Sequence, residues 1–97
     1  MKLTYQLSEL AEKDLANIWD YTFKHWSIKQ ADKYINQIIK QIDKICSNPE
    51  IGRSISGIKL KHRMSKINSH MIIYKVENRM LQVDRILHKK MDIDNQL

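Results

Sequence analysis

Two amphipathic segments joined by a very short link constrain the fold of this chain more than any other feature of its sequence. Apolar residues recur at helical spacing over residues 11–26 and again over residues 28–46. Ser8 and Ser27 precede the two segments, where a serine hydroxyl can cap the first amides of a helix. The sequence therefore predicts two helices that fold back on each other as an antiparallel hairpin.

Short strands are predicted on both sides of this hairpin. Residues 2–7 alternate polar and apolar side chains, the pattern of a half-buried strand. Three further segments read as strands: 62–67, 70–76 and 80–87. Because only short turns separate these three, we expect them to run antiparallel. Met71-Ile-Ile-Tyr74 is apolar on both faces, which predicts a central strand covered on each side.

The order of these elements predicts the fold class. Pro49 ends the second helix, because a residue that precedes proline disfavours the helical backbone. Residues 49–61, which contain both glycines of the chain, are predicted to form a loop. The 97 residues are therefore expected to form one α+β domain. It comprises an N-terminal strand, a helical hairpin at about 8–47, a three-stranded antiparallel meander at about 62–88 that completes a small sheet, and a tail at 89–97.

The charge of the chain is unevenly distributed. The net charge is +6, and residues 53–90 hold ten Lys or Arg but only two acids, whereas residues 1–52 hold seven of each sign. Such an excess favours anionic partners, either nucleic acid or an acidic protein. A single cysteine, Cys46, agrees with a reducing compartment. No apolar run approaches the ~18 residues that span a bilayer, so we expect a soluble, cytoplasmic protein without a membrane partner.

Turn geometry predicts the register of the last three strands. With two-residue hairpin turns, Ile67 pairs with His70, Arg63 with Tyr74, and Tyr74 with Val83. The predicted face that contains Arg63 and Tyr74 then continues across the sheet to the last strand.

Arg85 is expected on that same face. His88 lies three residues further on, so on a regular strand it points the other way, together with Lys66 and Met71. A site that combines Arg85 and His88 would require a bulge or a strand that ends near residue 87. His70 begins a strand, where satisfying a turn is enough to explain it.

The residue types near the end of the chain suit cleavage of RNA by general acid and base catalysis. That reaction needs a base, a proton donor and cations for the phosphorane, and His88, Tyr74, Lys66, Arg63 and Arg85 are of these types. Each also has a structural interpretation. The arginines can be solvated or ion-paired sheet cations, Tyr74 a core residue with its hydroxyl at the rim, and His88 a structural or exposed histidine.

Other kinds of site receive less support. The histidines and Cys46 lack close ligand spacing, so no metal site is predicted, and no phosphate-cradling glycine loop or other cofactor motif is present. Trp19 and Trp26 lie at helical spacing and are expected in the core, with partner anchoring as the alternative. Lys89 and Lys90 form a solvated basic tail or contact an anionic partner.

A family resemblance runs over nearly the full length of the chain. The matching pieces, in order, are Leu7-Ser8, Ala11, Asp14-Leu15, Ile18-Trp19, Tyr21-Thr22, Trp26, Gln30-Ala31, Tyr34-Ile35, Pro49, Gly52-Arg53, His70, Ile73-Tyr74, Arg85-Ile-Leu-His88 and Met91-Asp92. Together they resemble the ParE branch of the RelE/ParE superfamily of bacterial type II toxins. The resemblance implies a helical hairpin on a small antiparallel sheet, neutralised by a ParD-type antitoxin.

The two branches of that superfamily imply different activities. ParE-like toxins bind DNA gyrase and trap its cleaved-DNA state without catalytic turnover, whereas RelE-like toxins cut mRNA in the ribosome with basic residues and a C-terminal tyrosine. Tyr74 is the last tyrosine of this chain, so no tyrosine follows His88. A gyrase-binding toxin is therefore the leading hypothesis. A ribosome-dependent endoribonuclease and an inert module that binds an antitoxin or nucleic acid are the alternatives.

Under the leading hypothesis two sets of contact residues are predicted. No catalytic residue is assigned, and no direct sequence-specific DNA binding by the toxin alone is expected. The predicted gyrase-contact set is Arg85, His88, Lys89, Lys90, Arg53 and Arg63. The predicted antitoxin-contact set is Trp19, Trp26, Arg63, Lys66 and Arg85.

Overall fold

The computed structural model describes residues 2–55 and 61–91, which form two helices packed against a five-stranded sheet. The elements are β1 (Thr4–Leu7), α1 (Glu9–His25), α2 (Ile28–Ser47), a 3₁₀ turn (Pro49–Ile51), β2 (Arg53–Ser54), β3 (Arg63–Ile67), β4 (His70–Glu77) and β5 (Met80–His88). The strand order is β1-β5-β4-β3-β2. The predicted α+β fold, with its helical hairpin and three-stranded meander, is confirmed.

Two details of the sheet differ from the predictions. The segment predicted as a loop contains the 3₁₀ turn and β2, which pairs antiparallel with β3. A strand of two residues is too short to show an alternating pattern, so periodicity could not reveal it. The sheet is also mixed rather than antiparallel, because β1 runs parallel to β5. Residues 56–60 of the predicted loop and 92–97 of the predicted tail lie outside the described residues.

The two serine caps form as predicted. The Ser8 hydroxyl accepts a hydrogen bond from the Ala11 N–H at 2.9 Å, and the Ser27 hydroxyl accepts one from the Gln30 N–H at 3.0 Å. Each bond satisfies one of the amides that a helix leaves without an internal partner. The helix ends are therefore set by local sequence.

The sheet is apolar on both faces. Between the helices and the sheet, residues of both form one apolar cluster: Ala11, Ile18, Ile38, Ile42, Ile45, Cys46, Ile72, Tyr74, Leu81, Val83 and Ile86. On the opposite face lie Met64, Met71, Ile73 and Leu87, with Ile55 packed against them. The predictions that β4 is a central strand covered on both faces and that Cys46 is a core residue are both confirmed.

A β-bulge in β5 decides which side chains face the helices. The predicted pairs Ile67–His70, Arg63–Tyr74 and Tyr74–Val83 all form. The register then shifts between Ile73 and Tyr74, so that Ile73 pairs with Arg85, and Asp84 is the extra residue on β5. A shift of one residue exchanges the faces of every following side chain.

Two predicted placements are therefore wrong. Arg85 lies opposite Ile73 and does not share a regular face with Tyr74. His88 pairs with His70 and lines a cleft beside the helices, instead of pointing the same way as Met71 on the opposite face. The cause of both is the single extra residue in β5, which regular alternation does not include.

Helix α1 replaces the missing neighbour of β5 where β1 ends. Opposite Val83, the chain leaves the sheet at Ser8, whose N–H donates to the Val83 carbonyl at 2.9 Å and whose hydroxyl donates to the Asp84 carbonyl at 2.6 Å. The carboxylate of Asp14 then accepts the Ile86 N–H at 2.9 Å. The exposed edge of β5 beyond β1 is thus satisfied by two side chains at the start of the hairpin.

Candidate functional site

Arg85, the centre of both predicted contact sets, lies against helix α1. Its Nε and Nη2 donate to the two carboxylate oxygens of Asp14, at 2.8 Å and 3.0 Å. The two side chains are only 15% and 13% exposed. Hydrogen bonding to Asp14 raises the pKa of Arg85, so the guanidinium stays charged. A bidentate, largely buried ion pair of this kind holds α1 against the bulged part of β5.

Arg63 and Tyr74 support the segment that follows the hairpin. The Tyr74 side chain is fully buried, and its hydroxyl accepts from the Gly52 N–H at 3.0 Å and donates to the Pro49 carbonyl at 2.6 Å. Arg63 Nη1 donates to the Gly52 carbonyl at 2.8 Å. Burial raises the pKa of Tyr74, which keeps the phenol neutral. The interpretation of Tyr74 as a core residue with its hydroxyl at the rim fits this geometry.

Gly52 is required by that close approach. A Cβ atom at this position would lie 2.5 Å from the Tyr74 hydroxyl and 2.8 Å from the Met64 carbonyl oxygen. Both distances are shorter than van der Waals contact allows, and the Met64 oxygen belongs to the backbone of β3. The sequence singled out Gly52 only as a loop residue, whereas the structure makes it the contact point between the 3₁₀ turn and the sheet.

A histidine–aspartate pair that the sequence did not suggest occupies the bulge. Nε2 of His62 bonds to the carboxylate of Asp84, and the Lys75 ammonium lies 4.0 Å from the same carboxylate. His62 is buried, and its Nδ1 has no hydrogen-bond partner within the described part of the chain. No sequence signal joins residues 22 positions apart when the bulge that brings them together is itself unpredicted.

A cleft of about 670 Å³ lies where the hairpin meets the β3–β4 turn. His70 and His88 face it from neighbouring strands, with ring centroids 5.3 Å apart. The Tyr34 hydroxyl of α2 bonds to Nδ1 of His70 at 2.6 Å. Burial raises the pKa of Tyr34. Sequence analysis predicted no role for His70 beyond its turn, because regular pairing places it opposite Leu87 rather than His88.

Aromatic side chains flank the mouth of this cleft. Tyr21 is 57% exposed and Trp26 is 68% exposed. The prediction that Trp26 is a core residue is therefore wrong. Trp19 is half-buried, stacks on Phe23 and donates to Asp32 at 2.9 Å, so it is also outside the core. Helix α1 buries only the narrow face that includes Ala11 and touches the sheet.

The remaining predicted cations lie at the surface. Arg53, Lys66, Lys89 and Lys90 are all exposed. The backbone N–H of Lys89 donates to the Ser69 carbonyl at 2.8 Å, and that of Lys90 donates to Nδ1 of His88 at 3.2 Å. These two bonds fix the start of the tail beside the cleft while leaving both ammonium groups in solvent.

The five residues of the nuclease hypothesis do not converge. Tyr74 and Arg63 both bind segment 49–52, whereas Arg85 binds Asp14 on α1. His88 faces the helix-side cleft, whereas Lys66 pairs with Met71 on the opposite face. A general base, a proton donor and phosphorane-binding cations are therefore not brought within reach of one reacting atom.

Within residues 2–55 and 61–91, no group of three His, Cys, Asp or Glu side chains is arranged to hold a metal ion. None of the helices in the same residues has the length and hydropathy needed to cross a membrane.

Two solved structures with this architecture come from toxin–antitoxin systems. The chromosomal ParDE system from P. aeruginosa superposes with a TM-score of 0.78, at 17% identity over 90% of this chain and 96% of the matched chain. The RelBE2 toxin–antitoxin complex from Mycobacterium tuberculosis gives a TM-score of 0.69 at 11% identity, over 91% of this chain and 99% of the matched chain. At these identities the likeness establishes the fold alone.

Sequence comparison identifies the family to which the chain belongs. Residues 5–93 match the family described as ParE toxin of type II toxin-antitoxin system, parDE. Toxin ParE1 of Mycobacterium tuberculosis is 36% identical over 98 residues, which cover 100% of both chains. Toxin ParE1 of Caulobacter vibrioides is 31% identical over 88 residues, 91% of each chain. The chain belongs to the ParE family of type II toxins, as its resemblance predicted.

Proposed function

We propose that this toxin inhibits DNA gyrase in the cytoplasm by binding to it and trapping the cleaved-DNA complex, without a catalytic step of its own. The observation that carries the proposal is the dispersal of the candidate catalytic residues. Tyr74 is hydrogen-bonded to Gly52 and Arg85 to Asp14, so both side chains stabilise the fold. A toxin that acts by binding needs an accessible surface and no assembled acid–base pair.

The exposed cations beside the end of β5 are the proposed gyrase contacts. Lys89 and Lys90 carry their charges in solvent, and Arg53 adds a third exposed cation on β2. Positive side chains at a rim steer an anionic target and fix its orientation. Arg63 and Arg85 contribute indirectly by holding the backbone on which this surface is built.

A supercoiling assay tests the proposal. Purified toxin is expected to inhibit gyrase supercoiling and to raise the amount of linearised DNA, and to leave a translation extract active. K89A/K90A should raise the toxin concentration needed for half inhibition by about tenfold. K13A/K40A removes the same charge from exposed positions on the helices and should change it little.

Unchanged supercoiling and no additional linear DNA would refute the gyrase proposal. Cleaved mRNA in the translation extract would favour the RelE-like alternative instead. An equal loss of activity in K89A/K90A and K13A/K40A would show that net charge matters and that the proposed contact surface is wrong.

A ParD-type antitoxin is the proposed partner, and the cleft mouth is its proposed contact. Trp26 is the most exposed large apolar side chain in the described residues, and Tyr21 and Ile28 beside it are 57% and 56% exposed. Exposed aromatic anchors of this kind often dominate binding energy. In this proposal Lys66 contributes from the opposite face, whereas Trp19, Arg63 and Arg85 act through their internal contacts.

Truncation of Trp26 tests that contact. W26A is expected to weaken antitoxin binding by about 30-fold, the change typical of a hot-spot residue at about 2 kcal/mol. V76A removes an apolar side chain that is 47% exposed on β4 and serves as the control. Equal affinities for the two variants, measured by calorimetry, would move the antitoxin away from the cleft.

A further inference from the structure

The imidazole rings of His70 and His88 line the cleft, and the Nδ1 atom of each ring is already hydrogen-bonded within the protein. Nδ1 of His70 bonds to the Tyr34 hydroxyl at 2.6 Å, and Nδ1 of His88 accepts the Lys90 N–H at 3.2 Å. In the described residues neither Nε2 atom has a hydrogen-bond partner. Because the Lys90 N–H can only donate, Nδ1 of His88 is unprotonated and its Nε2 carries the hydrogen. The tautomer therefore presents a donor, which suits an acceptor ligand and not a metal ion.

Among the described residues, no carboxylate is hydrogen-bonded to either ring of this pair. The charge of Asp14 on α1 acts on His70 and raises its pKa, but this carboxylate already accepts from Arg85 and the Ile86 N–H. From α2, Tyr34 contributes a neutral phenol. After β5, the exposed Lys89 and Lys90 add positive charge. Among the described residues that line the cleft, none is an acid.

Two imidazoles in this arrangement take up one proton more readily than two. Their ring centroids are 5.3 Å apart in an edge-on arrangement, so a proton on one ring repels a second proton on the other. Burial lowers the pKa of His70, and a proton on His88 would lower it further. A protonated His70 can still donate from Nδ1 to the Tyr34 oxygen, whereas protonation of His88 would displace the Lys90 N–H. The added proton therefore belongs on His70.

We propose that the His70–His88 pair is a receptor for a carboxylate side chain of the antitoxin, and that the antitoxin binds with uptake of one proton. The carboxylate would accept from both Nε2–H groups and supply a negative charge, which none of the described lining residues carries. The proposal rests on the proposed antitoxin partner. An acidic protein segment is favoured over nucleic acid because the wall of the cleft includes Ile18 and Tyr21 and is set in a helical hairpin, into which an amphipathic segment can lay its apolar face.

Two measurements test the proposal separately from the partner. The first is the pH dependence of the affinity between toxin and cognate antitoxin, by calorimetry at pH 8, 7 and 6. Uptake of one proton predicts an affinity that rises about tenfold per pH unit until His70 is protonated. H70Q/H88Q should bind with little pH dependence. H25Q removes an exposed histidine on α1 that does not line the cleft, and should keep the wild-type slope.

The second measurement uses acetate as a minimal carboxylate. In ¹⁵N spectra of the toxin alone at pH 6.5, sodium acetate should shift the imidazole signals of His70 and His88, and sodium chloride should not. A complex with a flat pH dependence, together with no acetate shift, would overturn the carboxylate receptor and leave the antitoxin partner intact. Acetate shifts without any complex would refute the partner alone. Stronger shifts with a single-stranded oligonucleotide that displaces acetate would overturn the proposal in favour of nucleic acid.

Discussion

Removal of the Asp14 carboxylate should lower the free energy of unfolding more than removal of an exposed carboxylate on the same helix. Asp14 accepts three hydrogen bonds, two from Arg85 at 2.8 Å and 3.0 Å and one from the Ile86 N–H at 2.9 Å. In D14A the largely buried guanidinium loses its two hydrogen bonds to Asp14, and a strand amide loses its acceptor. Both losses fall on the part of β5 that β1 does not reach.

The magnitude follows from burial. At 13% and 15% exposure solvent screens the pair little, and breaking such a pair typically costs about 3–5 kcal/mol. D14N keeps an acceptor for the Ile86 N–H but removes the charge, so it should lose roughly half as much. The Lys24–Asp20 pair on the same helix is 65% and 53% exposed, and D20A should therefore cost less than about 0.5 kcal/mol.

Urea unfolding followed by circular dichroism measures these differences. For an m-value of about 1.5 kcal/mol/M, D14A should lower the midpoint by roughly 2–3 M, with the m-value unchanged. The double variant D14L/R85M should recover much of the loss, because it removes both charges. Similar midpoints for D14A and D20A would refute the claim that this pair holds α1 on the sheet. Toxicity lost in Arg85 variants would then point to a direct contact with the target.

Three further predictions concern stability and use the same unfolding assay. G52A should lose roughly 1–3 kcal/mol of unfolding free energy, because its Cβ would overlap the Tyr74 hydroxyl. Y74F should lose about 1–3 kcal/mol, because it leaves the buried Gly52 N–H without an acceptor. If both variants were as stable as the wild type, the close contact would be refuted. S8A should cost about 1–2 kcal/mol and S27A about 1 kcal/mol or less, since the Ser8 hydroxyl also donates into β5 at 2.6 Å; the reverse order would contradict this. The lowered pKa of His70 means that the unfolded chain binds a proton at this ring more tightly than the folded chain does. The free energy of unfolding should therefore fall as the pH drops below 6.5, the ordinary pKa of histidine, and H70Q should flatten this fall. An unchanged pH profile in H70Q would show that another group is responsible.

Much of the fold was predictable because its signals are local. Ser8 and Ser27 cap their helices with their own hydroxyls, and the apolar stripe of α2 matches the face that the sheet buries. The turn after β4 is also local, since Asn78 and Arg79 both adopt positive φ angles, 56° and 61°, as a two-residue hairpin turn requires. The same turns set the register correctly as far as Tyr74 and Val83.

The candidate site was less predictable, because its members meet only across the bulge. The residues that the sequence singled out, Arg85, His88 and Tyr74, all take part in defined contacts. Their partners could not be predicted, because Asp14 lies 71 residues from Arg85 along the chain and no sequence pattern connects the two. His70 carried no signal of its own, since its importance comes from the residue opposite it.

By itself the sequence determined the helices, the hairpin, the order of the strands along the chain and the excess of positive charge, since each depends on residues a few positions apart. It also carried enough ordered matches to indicate the ParE family. Only the tertiary structure decided which side chains meet. One extra residue in β5, Asp84, exchanges the faces of every side chain that follows. Ser8 and His62 hold that residue in place, and Asp14 holds the two residues after it. In the sequence, Arg85 and His88 look like parts of one active site. In the structure, Arg85 forms an internal ion pair with Asp14, and His88 lines a cleft.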